Sequence, residues 1–349
     1  MPGAAGGGRR PRPPTAGADG VEGEIAVSAT QLDRGGPPVA DPVAEGPHGS
    51  PGPRRRGLRV SQRRSLTGWV FLIPAALLIV VMNFWPMFQA FILSMQTGRG
   101  RRLQFADPLW SNYQRLFSDE VFRLTVENTF IYLIVQVPIM LVLALILANL
   151  LNDRNLRFRG MWRTAIFLPC AVGLVSYSLV FRTMFATDGL INDFLLGLHL
   201  IDSQVNWLGQ TGTARFVIIL GLLWRWTGYN MVFYLAALQN IDNSTLEAAR
   251  IDGAGPFKTF WYVTVPQLRP MILLTAILST NGTIQLFDES WNLTQGGPAY
   301  TSMSMSHYLF ELSFQKNPNF GYAAALSYAI LIMVAVLAFI QMRVGDKRD

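Results

Sequence analysis

Asn243-Ser-Thr-Leu-Glu-Ala-Ala-Arg-Ile-Asp-Gly-Ala-Gly-Pro-Phe-Lys-Thr-Phe-Trp-Tyr-Val-Thr-Val-Pro266 is the most heavily punctuated stretch of this sequence. Ser244 followed three residues later by Glu247 has the spacing of a capping box, which would start a helix over Glu247 to Ile251. Gly253 supplies the left-handed residue that closes such a helix. Pro256 suits the first position of a second helix. Val265 precedes a proline and is pushed toward extended geometry, so the second helix is expected to end near it. The product is a helix, a glycine corner and another helix. Ala248 and Ala249 leave the first helix smooth, while Phe257, Phe260, Trp261 and Tyr262 give the second more apolar surface than a solvated loop needs. Two readings of that surface stand side by side: a knob that docks into another protein, or a helical hairpin lying on a membrane.

The membrane is implied by what flanks the stretch. Of 349 residues 50% are apolar and 15% charged, against roughly a quarter charged in a soluble domain. Apolar segments occur at 68–93, 128–151, 164–185, 216–238, 271–287 and 322–342. Five are long enough for the roughly 20 residues of helix that cross a bilayer. The fifth is short, because its apolar run gives way to Ser279, Thr280, Asn281 and Gly282. An all-α polytopic protein of about six crossings is expected. Pro74, Pro86, Pro138 and Pro169 do not argue against helix here, since bundles in lipid accept proline.

Charge orients the crossings. Arg54, Arg55, Arg56, Arg59, Arg63 and Arg64 precede the first; Arg154, Arg157, Arg159 and Arg163 fill the loop after the second; Arg250, Lys258 and Arg269 follow the fourth. The positive-inside rule places these loops in the cytoplasm, and an even number of crossings returns both ends there. One external loop, with Arg99, Arg101, Arg102, Arg115 and Arg123, runs against the rule. In that loop Ser111 to Gln114 has a weak capping-box pattern for a short helix bearing Leu116 and Phe117.

Residues 1–65 are rich in Gly, Pro and Arg without apolar periodicity and are read as a disordered cytoplasmic tail; residues 344–349 form a second, short tail. The net charge of +7 gathers at span ends rather than on one face, which excludes a nucleic-acid surface. The single Cys170 excludes an intrachain disulfide, and His48, His199 and His307 have no metal or triad spacing, so they read as solvated loop residues. No metal site and no catalytic residue is expected. No G-x-x-x-x-G-K-[ST] phosphate loop occurs either.

Glu247-Ala248-Ala249, then Asp252-Gly253-Ala254-Gly255, then Phe260, Pro266 and Pro270, resemble the EAA loop of permease subunits in binding-protein-dependent ABC importers. Further stretches resemble the sugar-uptake branch: Asn112-Tyr113 with Asn128-Thr129, Phe167-Leu168-Pro169, Trp207-Leu208-Gly209, Leu293-Thr294 with Gly296-Gly297-Pro298, and Phe320-Gly321-Tyr322-Ala323 with Ala325-Leu326-Ser327. The match covers roughly residues 66–343, and the chain looks more like the maltose-permease-F or glycerol-phosphate-permease-A kind. The resemblance implies the type I importer permease fold in the inner membrane and a docking loop at 243–270. It also implies a second homologous permease, two ATPase subunits that bind ATP and Mg, and an extracellular solute-binding protein. The cargo would be a di- or oligosaccharide, or a polyol or glycerol phosphate. Glu247 and Gly253 hold the acidic and corner positions at the centre of that loop.

Two stripes are candidates for the substrate path. Arg225 lies mid-span, where a charge is costly, and facing the bundle interior is the reason it can stand there. Beside it Trp226, Asn230 and Tyr234 recur every four residues, and aromatic faces with amides suit a sugar's C–H and hydroxyl surfaces. In the fifth span Asn281, Gln285 and Asp288 share a face beside Gly282, where a short, interrupted crossing points to a transporter's binding site. Helix packing with Trp and Tyr as interface anchors accounts for the first stripe as well, and hydrogen bonding to the second permease for the second. An ion-coupled secondary transporter using Arg225 and Asp288 is the alternative; no inverted repeat is evident.

Overall fold

The computed structural model describes residues 60–99, 102–153, 155–315 and 317–345. Most of the expected N-terminal tail, Arg101, Arg154, Lys316, His48 and residues 346–349 lie outside the described residues. From Arg64 onward the helices form one unit. Among the described residues, Gly68–Ser94, Glu120–Asn152, Thr211–Leu238 and Phe320–Gly345 are each long and apolar enough to cross a membrane. Two bent pairs, Arg159–Ala171 with Leu174–Met184 and Pro256–Gln267 with Arg269–Ile284, bring the crossings to six if each pair is one.

The order is α1 (Val60–Ile79), α2 (Trp85–Ser94), a hairpin of β1 (Gln96–Arg99) and β2 (Arg102–Phe105), then α3 (Ser111–Ser118), α4 (Glu120–Asn152), α5 (Arg159–Ala171), α6 (Leu174–Met184) and α7 (Leu190–Gly197). There follow α8 (Thr211–Leu238), α9 (Asn243–Ile251), α10 (Pro256–Thr259), α11 (Val265–Gln267), α12 (Arg269–Ile284), α13 (Met305–Phe314) and α14 (Phe320–Gly345). The strands pair antiparallel, Gln96 with Phe105 and Arg99 with Arg102.

Packing fixes the direction of each crossing. Tyr132 of α4 shares a buried cluster with Val217 and Ile218 of α8, and Ala148 and Leu151 share another with Leu235 and Leu238. The two helices therefore run parallel. A parallel pair requires a return crossing between them, and α5 with α6 is the segment available. α12 runs the other way: Thr275 bonds Tyr234 near one end and Thr283 bonds Gln136 near the other. Gln341 of α14 reaches Thr280 while Leu326 and Ile330 cluster with Ile284, so α14 reverses α12. Tyr328 of α14 donates to the Met87 carbonyl of α2. The loop after α4, the 243–270 loop and the end of α14 consequently gather at one end of the bundle, and the hairpin, α3, α7 and α13 at the other.

The third crossing is not the continuous helix expected over 164–185, because α5 and α6 meet at 96°. The second helix of the 243–270 loop does not stop at Val265 either. A π-turn at Phe260–Thr264 carries the chain into α11, with the Val265 N–H bonding Phe260 O five residues back. The same device recurs at Val80–Phe84, where Trp85 N–H reaches Val80 O just before Pro86. A proline clashes with the carbonyl four residues back, and a widened turn ahead of it relieves that crowding. The polar run Ser279 to Gly282 does not interrupt α12, which continues to Ile284.

Two expected caps are replaced. Asp242, not Ser244, caps α9, its Oδ1 accepting from Ser244 N at 3.0 Å. Trp110, without a side-chain bond, precedes α3, and Asn112 instead donates to the Ser94 and Gln96 carbonyls. His307 is buried rather than solvated, its Nδ1 2.8 Å from Ser290 Oγ, while His199 is exposed. Burial pushes the His307 imidazole down to about 4, so it stays neutral near pH 7.

Asp119 joins three elements at that end. Its Oδ1 accepts from Val121 N and Phe122 N at the start of α4, and its Oδ2 accepts from Tyr308 and Tyr322 at 2.7 and 2.6 Å. Burial alone would raise its carboxyl, but these bonds outweigh burial and hold it below the ordinary value. Asp119→Ala should lower stability by about 1–2 kcal/mol, the scale of a lost N-cap, read as a lower melting temperature in detergent, whereas Asp119→Asn should retain most of it. The carboxylate's contribution is present above its unfolded pKa of about 3.9 and is lost as pH falls through the lower folded value.

Candidate functional site

Midway along the bundle α4, α8, α12 and the turn after α12 surround a cavity of about 340 Å³. α8 contributes Leu222, Trp226, Tyr229 and Asn230, which share one face at helical spacing. α4 contributes Gln136 and Met140, one turn apart, and Leu174 enters as the first residue of α6. Ser279, Gly282 and Thr283 of α12 and then Gln285, Asp288 and Glu289 complete the wall.

Two of the amides in this wall have a thioether among their partners. Gln136 Nε2 and Asn230 Nδ2 both point at the Met140 sulfur, at 3.0 and 3.5 Å, and a thioether is a poor acceptor. Asn230 Nδ2 also reaches Trp226 O at 3.1 Å, and Ser279 Oγ lies 3.5 Å from Asn230 Oδ1. Trp226 and Tyr229 meet edge to face with centroids 5.7 Å apart. The charged side chains in the wall are Asp288 and Glu289, both acidic.

Of the sequence candidates, Trp226, Asn230, Gln285 and Asp288 line the cavity. Arg225, Tyr234 and Asn281 do not. Tyr234 turns into the cluster around Leu238 and Leu268 and bonds Thr275 Oγ1 at 2.7 Å, because four residues per step overshoots the 3.6-residue turn and carries the stripe off the cavity face. Asn281 is exposed, accepting from Gln285 Nε2 at 2.6 Å. Arg225 is buried behind the wall, with Nη1 2.8 Å from the Val172 carbonyl. Gln136, Tyr229, Ser279, Thr283 and Glu289 were not among the candidates. Gln136 had a signal: an amide inside a long apolar helix needs a partner.

At the end of the bundle away from the hairpin, the 243–270 loop projects outward. Gly253 has φ +77°, the left-handed corner between α9 and α10. Glu247, Ala248, Asp252 and Gly255 are exposed, Ala249 and Ala254 half-buried. Ile251, Phe257 and Tyr262 are 85%, 75% and 78% exposed, so apolar surface is concentrated here beyond the crossings. Phe260 and Pro266 are half-buried, and Phe260 packs on the cluster of Leu151, Leu238 and Leu268. The exposed knob is thus seated on the same core that ends α4 and α8.

Residues 128–346 match the family of binding-protein-dependent transport system inner membrane components. The chain belongs to this family. It is 48% identical over 81% of its length to the lactose transport system permease protein LacF of Rhizobium radiobacter, covering 95% of that protein. It is 32% identical over 78% of its length to the arabinooligosaccharides transport system permease protein AraP of Halalkalibacterium halodurans, covering 86% of it. Its fold is that of a chain in a bacterial ABC transporter for import of the acidic polysaccharide alginate, with TM-score 0.71 at 20% identity, covering 82% of this chain and 96% of that one. This is the type I importer permease fold, an inner-membrane component built on up to six crossings.

Position relative to the cavity sets the expected effects of substitution. In vesicles carrying the complete transporter, Trp226→Ala should raise the apparent KM for cargo uptake at least about tenfold, the scale of roughly 1.4 kcal/mol. Tyr234→Phe should leave KM within about twofold while costing stability on the order of 1 kcal/mol for the lost Thr275 bond.

Proposed function

We propose that the chain is one permease subunit of an ATP-driven importer that moves a neutral disaccharide or short oligosaccharide into the cytoplasm. The cavity carries the proposal. About 340 Å³ lies near the lower end of small-molecule sites, roughly 300–1,000 Å³. The Trp226 and Tyr229 rings suit the C–H faces of a sugar ring, and Gln136 and Asn230 would exchange a sulfur partner for a hydroxyl oxygen, a better acceptor. Two acidic lining residues disfavour a phosphorylated or carboxylated cargo. The similarity to a lactose permease and an arabinooligosaccharide permease supports the same cargo class.

Chemistry is absent from this subunit's task; its work is to change which side the cavity opens to. ATP and Mg would be held by two ATPase subunits docked at the 243–270 loop, a second homologous permease would complete the bundle, and an external solute-binding protein would deliver the sugar. The arginine-bearing loops support a cytoplasmic placement of the docking end. Displacement of α9 and α10 would pass through Phe260 to α11, and across a 70° bend at Leu268 into α12. α12 has 16 residues, about 24 Å of helix, and carries Ser279, Gly282 and Thr283 in the cavity wall. One short, stiff lever thereby joins the docking knob to the sugar site.

Co-purification should yield a second permease and two ATPase copies, and uptake into proteoliposomes should require ATP and no ion gradient. Glu247→Ala or Gly253→Val should cut sugar uptake at least about tenfold while the complex still hydrolyses ATP, because a β-branched residue does not accept the corner's positive φ. Uptake that is unchanged in both variants, or that is driven by an ion gradient without ATP, contradicts the proposal.

A further inference from the structure

A helix broken inside a bilayer exposes carbonyls that have lost their partners one turn ahead, and each must be satisfied from within the protein. The third crossing breaks at Val172–Gly173, where α5 and α6 meet at 96°. Val172, the last residue before the turn, is extended at φ −70° and ψ 137°. Its carbonyl accepts from Arg225 Nη1 of α8 at 2.8 Å.

Arg225 is held there from several sides. It is 7% exposed, and its guanidinium lies over the rings of Tyr177 and Trp226, 5.0 and 5.4 Å from their centroids. Glu289, in the cavity wall, is within electrostatic reach. One turn further along α8, Gly228 meets the backbone of α5 about midway along it: a Cβ at Gly228 would stand 2.0 Å from the Ile166 carbonyl oxygen. A guanidinium and an absent side chain, three residues apart on one helix, thus seat the backbone of α5 directly on α8. Leu174, just after the break, and Trp226, beside Arg225, both line the cavity.

We propose that Arg225 is a positioning residue that latches the broken third crossing to α8 and so sets the spacing of the Leu174 and Trp226 walls, without itself touching cargo. The latch makes the bend a built feature: Arg225 donates to a carbonyl that the break orphans, and Gly228 gives the close approach that keeps it in reach. This inference rests on the sugar-permease reading only for its transport readout.

The test has two arms on the complete complex. In proteoliposomes, Arg225→Ala and Gly228→Ala should each raise the apparent KM for sugar at least about fivefold with the maximal rate within about threefold. The double variant should be no worse than the more impaired single one, because both loosen the same seat of α5 on α8. Arg225→Lys, which keeps a cationic donor, should recover most of the loss. Multiplicative KM effects in the double variant would mean that Arg225 acts separately from the α5 seat and overturn the latch, as would a fall in maximal rate with KM unchanged. The second arm needs no cargo. With Cys170→Ser, spin labels at the exposed positions Leu168 and Val232 should give a narrow distance distribution that broadens in Arg225→Ala and Gly228→Ala. An unchanged distribution overturns the latch whatever the transporter carries, whereas broadening together with an absence of sugar uptake by the unsubstituted complex supports the latch and contradicts only the cargo reading.

Discussion

Two helices that cross a bilayer in the same direction need a third crossing between them, and the parallel contact of α4 with α8 imposes that need on residues 153–210. The segment meets it with a broken pair, α5 and α6. Lipid offers no hydrogen bonds, so the break is affordable only where a neighbouring helix supplies a donor, and α8 supplies Arg225. The buried arginine, a candidate for the substrate path in the sequence, instead hydrogen-bonds backbone. The same parallel pair leaves a gap at its middle, between Gln136 and Met140 on α4 and Trp226 and Asn230 on α8, which α12 closes only in part.

That arrangement ties the cavity and the 243–270 knob to one set of helices. The cluster around Leu151, Tyr234, Leu238 and Leu268 ends α4 and α8 and seats Phe260 of the knob. From the same cluster α12 departs toward the cavity, anchored by Thr275 on Tyr234. At the opposite end Asn128 and Arg215 bind the backbone of the 297–304 turn: Asn128 Nδ2 donates to the Tyr300 and Met303 carbonyls at 2.9 and 2.8 Å, and Arg215 Nε to Thr301 O at 2.8 Å. The cavity thus lies between a clamped end and an end that exposes the apolar side chains of the 243–270 knob.

Much of this was legible in the sequence for physical reasons. Apolar runs reveal crossings because lipid imposes a length and a composition, and the punctuation at Gly253 and Pro256 marks a helix corner because those residues have few other uses. What escaped depended on contacts distant in sequence. Nothing local in Val172-Gly173 distinguishes a 96° break from a mild kink, and the donor that makes it tolerable lies 53 residues away. Asp242 outcompeted Ser244 as a cap because both residue types can fill that role and they stand two positions apart. The hairpin at Gln96 to Phe105 has no alternating apolar pattern, and His307 is buried by Phe287 and Trp291 from another segment. Periodicity placed Trp226 and Asn230 on the cavity face but could not tell that Tyr234 passes beyond it.

The central claim is that the 243–270 knob faces the cytoplasm and is covered there by an ATPase. Side-specific thiol labelling tests it most directly. With Cys170→Ser and Ala248→Cys in otherwise intact transporter, a membrane-impermeant reagent should label inside-out vesicles and not right-side-out ones, and the bound ATPase subunits should protect the site until they are stripped away. Labelling from the outer face, or labelling unaffected by the ATPase, would contradict the account.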